Sequence, residues 1–145
     1  MKLEEIHSLW DEDANIDLSE LANESRKIPQ LHAKYTRIYH TERLILKRIE
    51  EDFKILRHEK YEFFTQGPTH EQHKKGWELP AKGIILKNEV DRYLEADTDL
   101  INLSLKIAVQ REKVDLLHSI IHQINNRSFQ IKNSIEFLKW SQGSL

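Results

Sequence analysis

Apolar residues recur at spacings of three and four from residue 98 to residue 140. Leu100, Ile107, Val114, Ile121, Ser128 and Ile135 form one heptad row, and Leu103, Gln110, Leu117, Ile124, Ile131 and Leu138 the other, so ten of these twelve seam positions are apolar. A repeat held this long predicts one extended helix with coiled-coil packing. Ile101, Leu105, Ala108, Val109, Leu116 and Ile120 make a second apolar stripe beside the seam. A single partner helix covers only one of the two stripes. The pattern therefore points to a homo-oligomer with this helix inside and Leu103, Ile107, Val114, Leu117, Ile121, Ile124, Ile131 and Ile135 as its contacts. The alternative is a monomeric bundle whose other helices cover both stripes.

The rest of the chain reads as further helix. Leu3, Ile6, Leu9 and Trp10 share one side of a short opening helix, and the polar run 11–17 breaks it. Asp17 has the character of an N-cap, with Glu20 three residues on, for a helix from about Leu18 to Lys27. Pro29 then breaks or kinks that helix, because it has no N–H and restricts the residue before it. Leu31, Tyr35, Ile38, Ile45, Ile49, Phe53, Leu56 and Phe63 predict a long helix over 29–66, ended by Gly67 and Pro68. Residues 67–83 hold the two remaining prolines and three of the four glycines, and read as one long loop. A short helix over 84–96 follows, and Asp97 or Thr98 caps the long helix 98–140. The expectation is an all-α single domain: an acidic segment 1–28, a long basic helix, a loop, a short helix and a long oligomerisation helix in a bundle or coiled-coil hairpin.

Charge sharpens this picture. The net charge of −2 conceals a division. Residues 1–25 carry eight acids and one lysine, whereas residues 26–60 carry ten Lys/Arg against five acids. The basic segment reads either as a polyanion site or as a solvated helix face paired with acidic neighbours. Charged residues reach 32%, which suits exposed helices with apolar seams. With no cysteine, disulfides, thiolate nucleophiles and Cys-based zinc sites are excluded. The acidic N-terminus does not resemble a signal peptide, and no apolar run reaches the ~18 residues of a membrane span. A soluble, cytoplasmic protein with no membrane partner is expected.

Candidate chemistry concentrates at the end of the basic helix. From Lys54 to Gly67, cations alternate with aromatics, the combination that single-stranded nucleic acid requires: charge for phosphates and ring faces for bases. Lys54, Arg57, His58, Lys60, Tyr61 and Phe64 are the candidate DNA contacts, with Lys74 and Lys75 from the loop. Phe63 lies on the apolar stripe and belongs to the core. His70 and His73 have metal-ligand spacing but no further ligand cluster near them, so no metal is assigned. Asp91, Glu95, Asp97 and Asp99 straddle a helix junction and read as caps and solubilising charge rather than a magnesium site. There is no GxxxxGK[ST] phosphate loop and no nucleophile elbow. No catalytic residue and no cofactor is expected.

Three segments in order resemble the UvsY family of recombination mediators from T-even-type bacteriophages. Arg57–Gly67 is similar to the family's KARLDYYSG segment, Tyr93–Leu100 to a stretch joining two helices, and Arg127–Asn133 to its RGFAIKH segment. The opening MKLEEI and the Ile16-Asp17 pair are also alike. The resemblance implies a non-catalytic, ring-like homo-oligomer of six or seven subunits. Such a ring binds single-stranded DNA and helps a RecA-like recombinase replace single-strand binding protein. It also implies that the family's DNA-contacting Lys and Arg fall on His58 and Lys60, and its paired tyrosines on Phe63 and Phe64. His58 is a departure, since it is largely neutral at pH 7. A helical scaffold that never touches nucleic acid is the alternative function.

Overall fold

A computed structural model of the chain describes residues 1–143. It contains α1 (Leu3–Asp13), α2 (Leu21–Gln66), α3 (His70–Lys74), α4 (Val90–Glu95) and α5 (Thr98–Ser141), with no strand among the described residues. The expected all-α class is therefore found, and α5 begins and ends within a residue of the heptad reading. Four local expectations are revised. Asp17 caps no helix: its carboxylate accepts the Ser19 backbone N–H at 2.9 Å and the Ser19 hydroxyl at 2.6 Å, and α2 starts only at Leu21. Of the two alternatives at Pro29, the break is not found: Pro29 lies inside α2. The segment 67–83 is not all loop, because α3 is folded within it, capped by Thr69, whose hydroxyl accepts the Gln72 N–H. The helix expected over 84–96 is confined to Val90–Glu95. Gly67 does end α2 as read, at φ 90°, where a Cβ would be strained.

Contacts divide the chain into two compact units rather than a single domain: residues 1–45 with the chain from 109 onward, and residues 46–108. α2 and α5 each contribute to both. In the first unit, Ile6, Tyr35, Leu117, Ile120 and Ile124 form the core, with Leu9, Trp10 and Leu31 packed on it. Trp10 meets Tyr35 edge-on, ring centres 5.4 Å apart. Here α2 and α5 run antiparallel, since Glu24 reaches Arg127 whereas Glu42 reaches Gln110. Gln110, a polar seam position, is buried and donates to the Glu42 carbonyl at 2.8 Å and to its carboxylate at 2.7 Å. A satisfied polar group in an apolar seam fixes the register of the two helices.

Two carboxylates tie α1 into this unit. Burial works against the Asp13 anion, but hydrogen bonds from Lys34 (2.6 Å) and Tyr35 (2.8 Å) outweigh it and hold its pKa below the ordinary range. Burial likewise opposes the Glu24 anion, and Arg127 and Lys27 overcome it. The Tyr35 phenol is pushed up by burial and by Asp13. Both carboxyls titrate below their ordinary 3.8 and 4.5 when folded, so the unfolded chain binds more protons there. Stability is expected to be level above that range and to fall as pH drops through it. Urea midpoints between about pH 6 and about pH 3 test this, and a midpoint that does not fall would remove the assigned role of these two groups.

The second unit closes around Phe63, Phe64, Ile85, Val90, Leu94 and Leu100, with Phe53, Tyr61, Trp77 and Tyr93 against them. The Ile85 N–H donates to the Phe64 carbonyl at 2.8 Å and ties the connecting segment to the end of α2. Asp97 accepts the Leu100 N–H at 3.0 Å and so caps α5.

Candidate nucleic-acid interface

The cations near the C-terminal end of α2 fall into two physical classes. Lys54, Arg57 and His58 are exposed. Lys54 lies 3.1 Å from Glu51, Arg57 lies 3.4 Å from Asp91, and His58 Nε2 lies 3.1 Å from Glu62. Lys47 shares Glu51 at 2.9 Å, and hydrogen bonds from the two lysines hold that carboxyl below its usual range. Exposed pairs of this kind contribute only about 0–1 kcal/mol each, so a phosphate can displace the carboxylate at little cost. These residues remain able to meet a polyanion.

Lys60 differs in kind. It is 4% exposed, with its ammonium 3.1 Å from Asp97 and 2.8 Å from Asp99, and it sits 3.8 Å from the centre of the Trp77 ring. The expected phosphate contact at this position is thus replaced by a buried ion pair that joins α2 to the start of α5. The reason is the helix junction: Asp97 and Asp99 flank the α5 N-terminus and find in Lys60 the cation that neutralises them. Phe64 is corrected in the same way. At 7% exposure its ring packs between Phe63 (5.2 Å) and Tyr93 (5.9 Å), so it offers no free face to a base. Tyr61 is half-buried against the same core. Lys74 and Lys75 are exposed on and just after α3, and Lys75 stands 5.6 Å from the Trp77 ring centre. Trp77 is half-buried and already carries Lys60.

The seam of α5 is likewise used within the chain. Leu117 and Ile124 lie in the first core, and Ile107 and Ile131 are also buried. Leu117 and Ile124 have no surface left for a neighbouring subunit, because α1 and α2 of the same chain take up their side of the stripe, and Ile107 and Ile131 keep little. Leu103, Val114 and Ile121 are half-buried, and Ile135 is 37% exposed. The second stripe keeps its exposed members: Ile101, Leu105 and Val109 lie on one face of α5 at 42%, 60% and 54%. Ile120 is buried and Leu116 packs on the first core.

Of the acidic set at the helix junction, Asp97 is a cap and ion-pair partner, and Asp99 and Asp91 pair with Lys60 and Arg57. His70 and His73 are exposed on α3, and no group of three or more metal-ligating side chains occurs among the described residues. No helix of the described residues is long and apolar enough to cross a membrane.

Two structural features lay outside the residue-by-residue reading. Arg127 is a buried hub, donating to the Asp13 and Asn15 carbonyls at 3.0 and 2.9 Å and to Glu24 at 3.1 Å. The other is Ile84-Ile85-Leu86-Lys87, whose outer aliphatics are exposed although the middle one is buried. An apolar triplet followed by lysine in a Gly/Pro-rich stretch was the signal for it.

Long helices packed antiparallel in the first unit, and exposed cations in displaceable ion pairs in the second, define an all-α protein suited to a polyanionic partner. The family profile described as "Recombination, repair and ssDNA binding protein UvsY" matches residues 9–144, and the chain belongs to that family. The fold agrees with crystal structures of the bacteriophage T4 recombination mediator protein UvsY. In lattice type I the TM-score is 0.80 at 18% identity, covering 94% of this chain and 98% of that one. In lattice type II it is 0.79 at 20% identity, covering 98% of each. In lattice type IV it is 0.77 at 18% identity, covering 97% of this chain and 99% of that one. No curated protein matches the chain by sequence.

Proposed function

We propose that the protein is a recombination mediator. It binds single-stranded DNA and promotes the loading of a RecA-like recombinase in place of single-strand binding protein, in the cytoplasm of an infected bacterium. It has no catalytic chemistry of its own. The observation that carries this reading is the family match over residues 9–144, joined to a fold that agrees over nearly the whole chain. Lys54, Arg57, His58, Lys74 and Lys75 supply phosphate contacts, with the half-buried Tyr61 beside them. The protein works as a ring-like homo-oligomer of six or seven subunits. Its contacts are the exposed stripe Ile101, Leu105 and Val109, with the partly open Leu103, Val114, Ile121 and Ile135. Repetition around a ring suits this surface, because individually weak sites gain avidity without any one of them binding tightly.

Anisotropy of a labelled poly-dT oligonucleotide, titrated at low and high salt, tests the reading. Binding is expected to weaken steeply with salt. It is also expected to weaken in Lys54→Ala/Arg57→Ala without a change in sedimentation. Stimulation of recombinase-driven strand exchange on DNA coated with single-strand binding protein is the second expected result. A folded, oligomeric sample that leaves the oligonucleotide free at low salt would overturn the reading in favour of a protein scaffold.

A further inference from the structure

Lys54, Arg57 and His58 are paired and the aromatics beside them are packed, so the surface that meets bases is still to be located. The segment between α3 and α4 supplies one. Ile84 and Leu86 are 57% and 66% exposed, while Ile85 between them is 1% exposed and hydrogen-bonded to the end of α2. The pair is held out rigidly. A turn precedes it, with the Gly83 N–H on the Pro80 carbonyl at 2.8 Å, and another follows it, with the Glu89 N–H on the Leu86 carbonyl at 2.9 Å. Gly83 has φ 84°, a conformation that suits glycine. The Lys82–Glu89 ion pair, at 2.6 Å, links the two turns.

Cations frame this hook. Residues 74–92 carry five Lys/Arg against three acids. Lys87, next to Leu86, is exposed and has no ion-pair partner among the described residues. Arg92 is exposed, with its guanidinium 5.3 Å from the centre of the Tyr93 ring, and Lys82 stands 6.0 Å from the same ring. Tyr93 packs on Phe64, whose carbonyl holds Ile85, so hook and cations belong to one patch. Large aliphatics displayed beside exposed cations are a known way to engage nucleic acid: the side chains pack against or between bases while the cations follow the phosphates.

We propose that Ile84 and Leu86 contact the bases of single-stranded DNA, with Lys87 and Arg92 on the flanking phosphates. This rests on the single-stranded DNA reading above and adds a site distinct from the α2 cations. Duplex DNA keeps its base faces stacked, so the hook selects for single strands.

The test uses the full chain, with poly-dT, an abasic oligonucleotide of the same length, and duplex DNA. Wild type is expected to prefer poly-dT over the abasic strand. Ile84→Ser/Leu86→Ser removes mostly exposed surface and is expected to keep a melting temperature close to wild type and an unchanged sedimentation. It should lose about tenfold in poly-dT affinity, with little change on the abasic strand. Lys87→Ala/Arg92→Ala should weaken binding to both strands and flatten the salt slope by about 1.4. If wild type binds poly-dT and the Ser variant binds it equally well, the hook is not a base contact, while the mediator reading stands. A Ser variant that changes sedimentation and keeps its DNA affinity would make the hook a protein contact, and overturns the proposal. If wild type itself fails to bind poly-dT, both readings fall.

Discussion

Arg127→Met is expected to lower stability by about 3–4 kcal/mol, which for a chain of this size lowers the melting temperature by roughly 10 °C. Arg127 is 3% exposed, and its guanidinium makes its three shortest hydrogen bonds to acceptors in part-buried or buried surroundings. Two are the carbonyls of Asp13 and Asn15, at the end of α1, where helix carbonyls have no intrahelical partner and the dipole is negative. The third is the Glu24 carboxylate, itself 4% exposed. Methionine keeps the stem's volume but leaves all three without Arg127. Lys27, 3.2 Å from Glu24, retains part of the pairing, which places the loss below the upper end for a severed buried ion pair. Lysine is expected to recover little, since a single ammonium does not match the fork that spans carbonyls and carboxylate. Adding Glu24→Leu to Arg127→Met should restore a substantial part of the loss, because the uncompensated charge is then gone. Urea denaturation followed by circular dichroism measures all three. A change below about 0.5 kcal/mol in the single variant would show the hub to be dispensable.

The heptad pattern made α5 legible to within a residue at each end, because caps and periodicity are local properties. It said that one face of the helix is covered, not what covers it. Leu117 and Ile124 meet Ile6 and Tyr35 of the same chain, residues some 80 to 120 positions away. Pro29, with its missing N–H, reads as a break or a kink, yet packing on either side carries the helix past it: Ile28 and Leu31 both lie against the first core. The same limit applies to the DNA site. The alternation of cations and aromatics from Lys54 to Phe64 is plain in the sequence. Which cation meets solvent and which meets a carboxylate is decided by contacts 34 to 39 residues apart. Lys54, Arg57 and His58 stayed exposed. Lys60 and Phe64 turned inward because the acids and rings of the α4–α5 junction pack there.

For that reason Lys60→Met is expected to lose fold stability rather than DNA affinity. The ammonium is the only cation within ion-pair distance of Asp97 among the described residues, and Asp97 also caps α5. Removing the charge leaves Asp97, whose side chain is 11% exposed, without a counter-ion, whereas Asp99, half exposed, recovers water. One stranded carboxylate and the lost contact with the Trp77 face together amount to about 2–3 kcal/mol. Trp77 emission should shift in the folded state, since the charge above its ring is gone. Measured well below the melting temperature, poly-dT affinity is expected to change less than threefold, unlike that of Lys54→Ala/Arg57→Ala. The opposite pattern, unchanged stability with lost affinity, would mean that Lys60 leaves its carboxylates to meet a phosphate, and the buried ion pair would then be a latch that DNA opens. Stability and affinity measured on one variant therefore separate a structural lysine from a DNA-contacting one at the position where the family resemblance places a DNA contact.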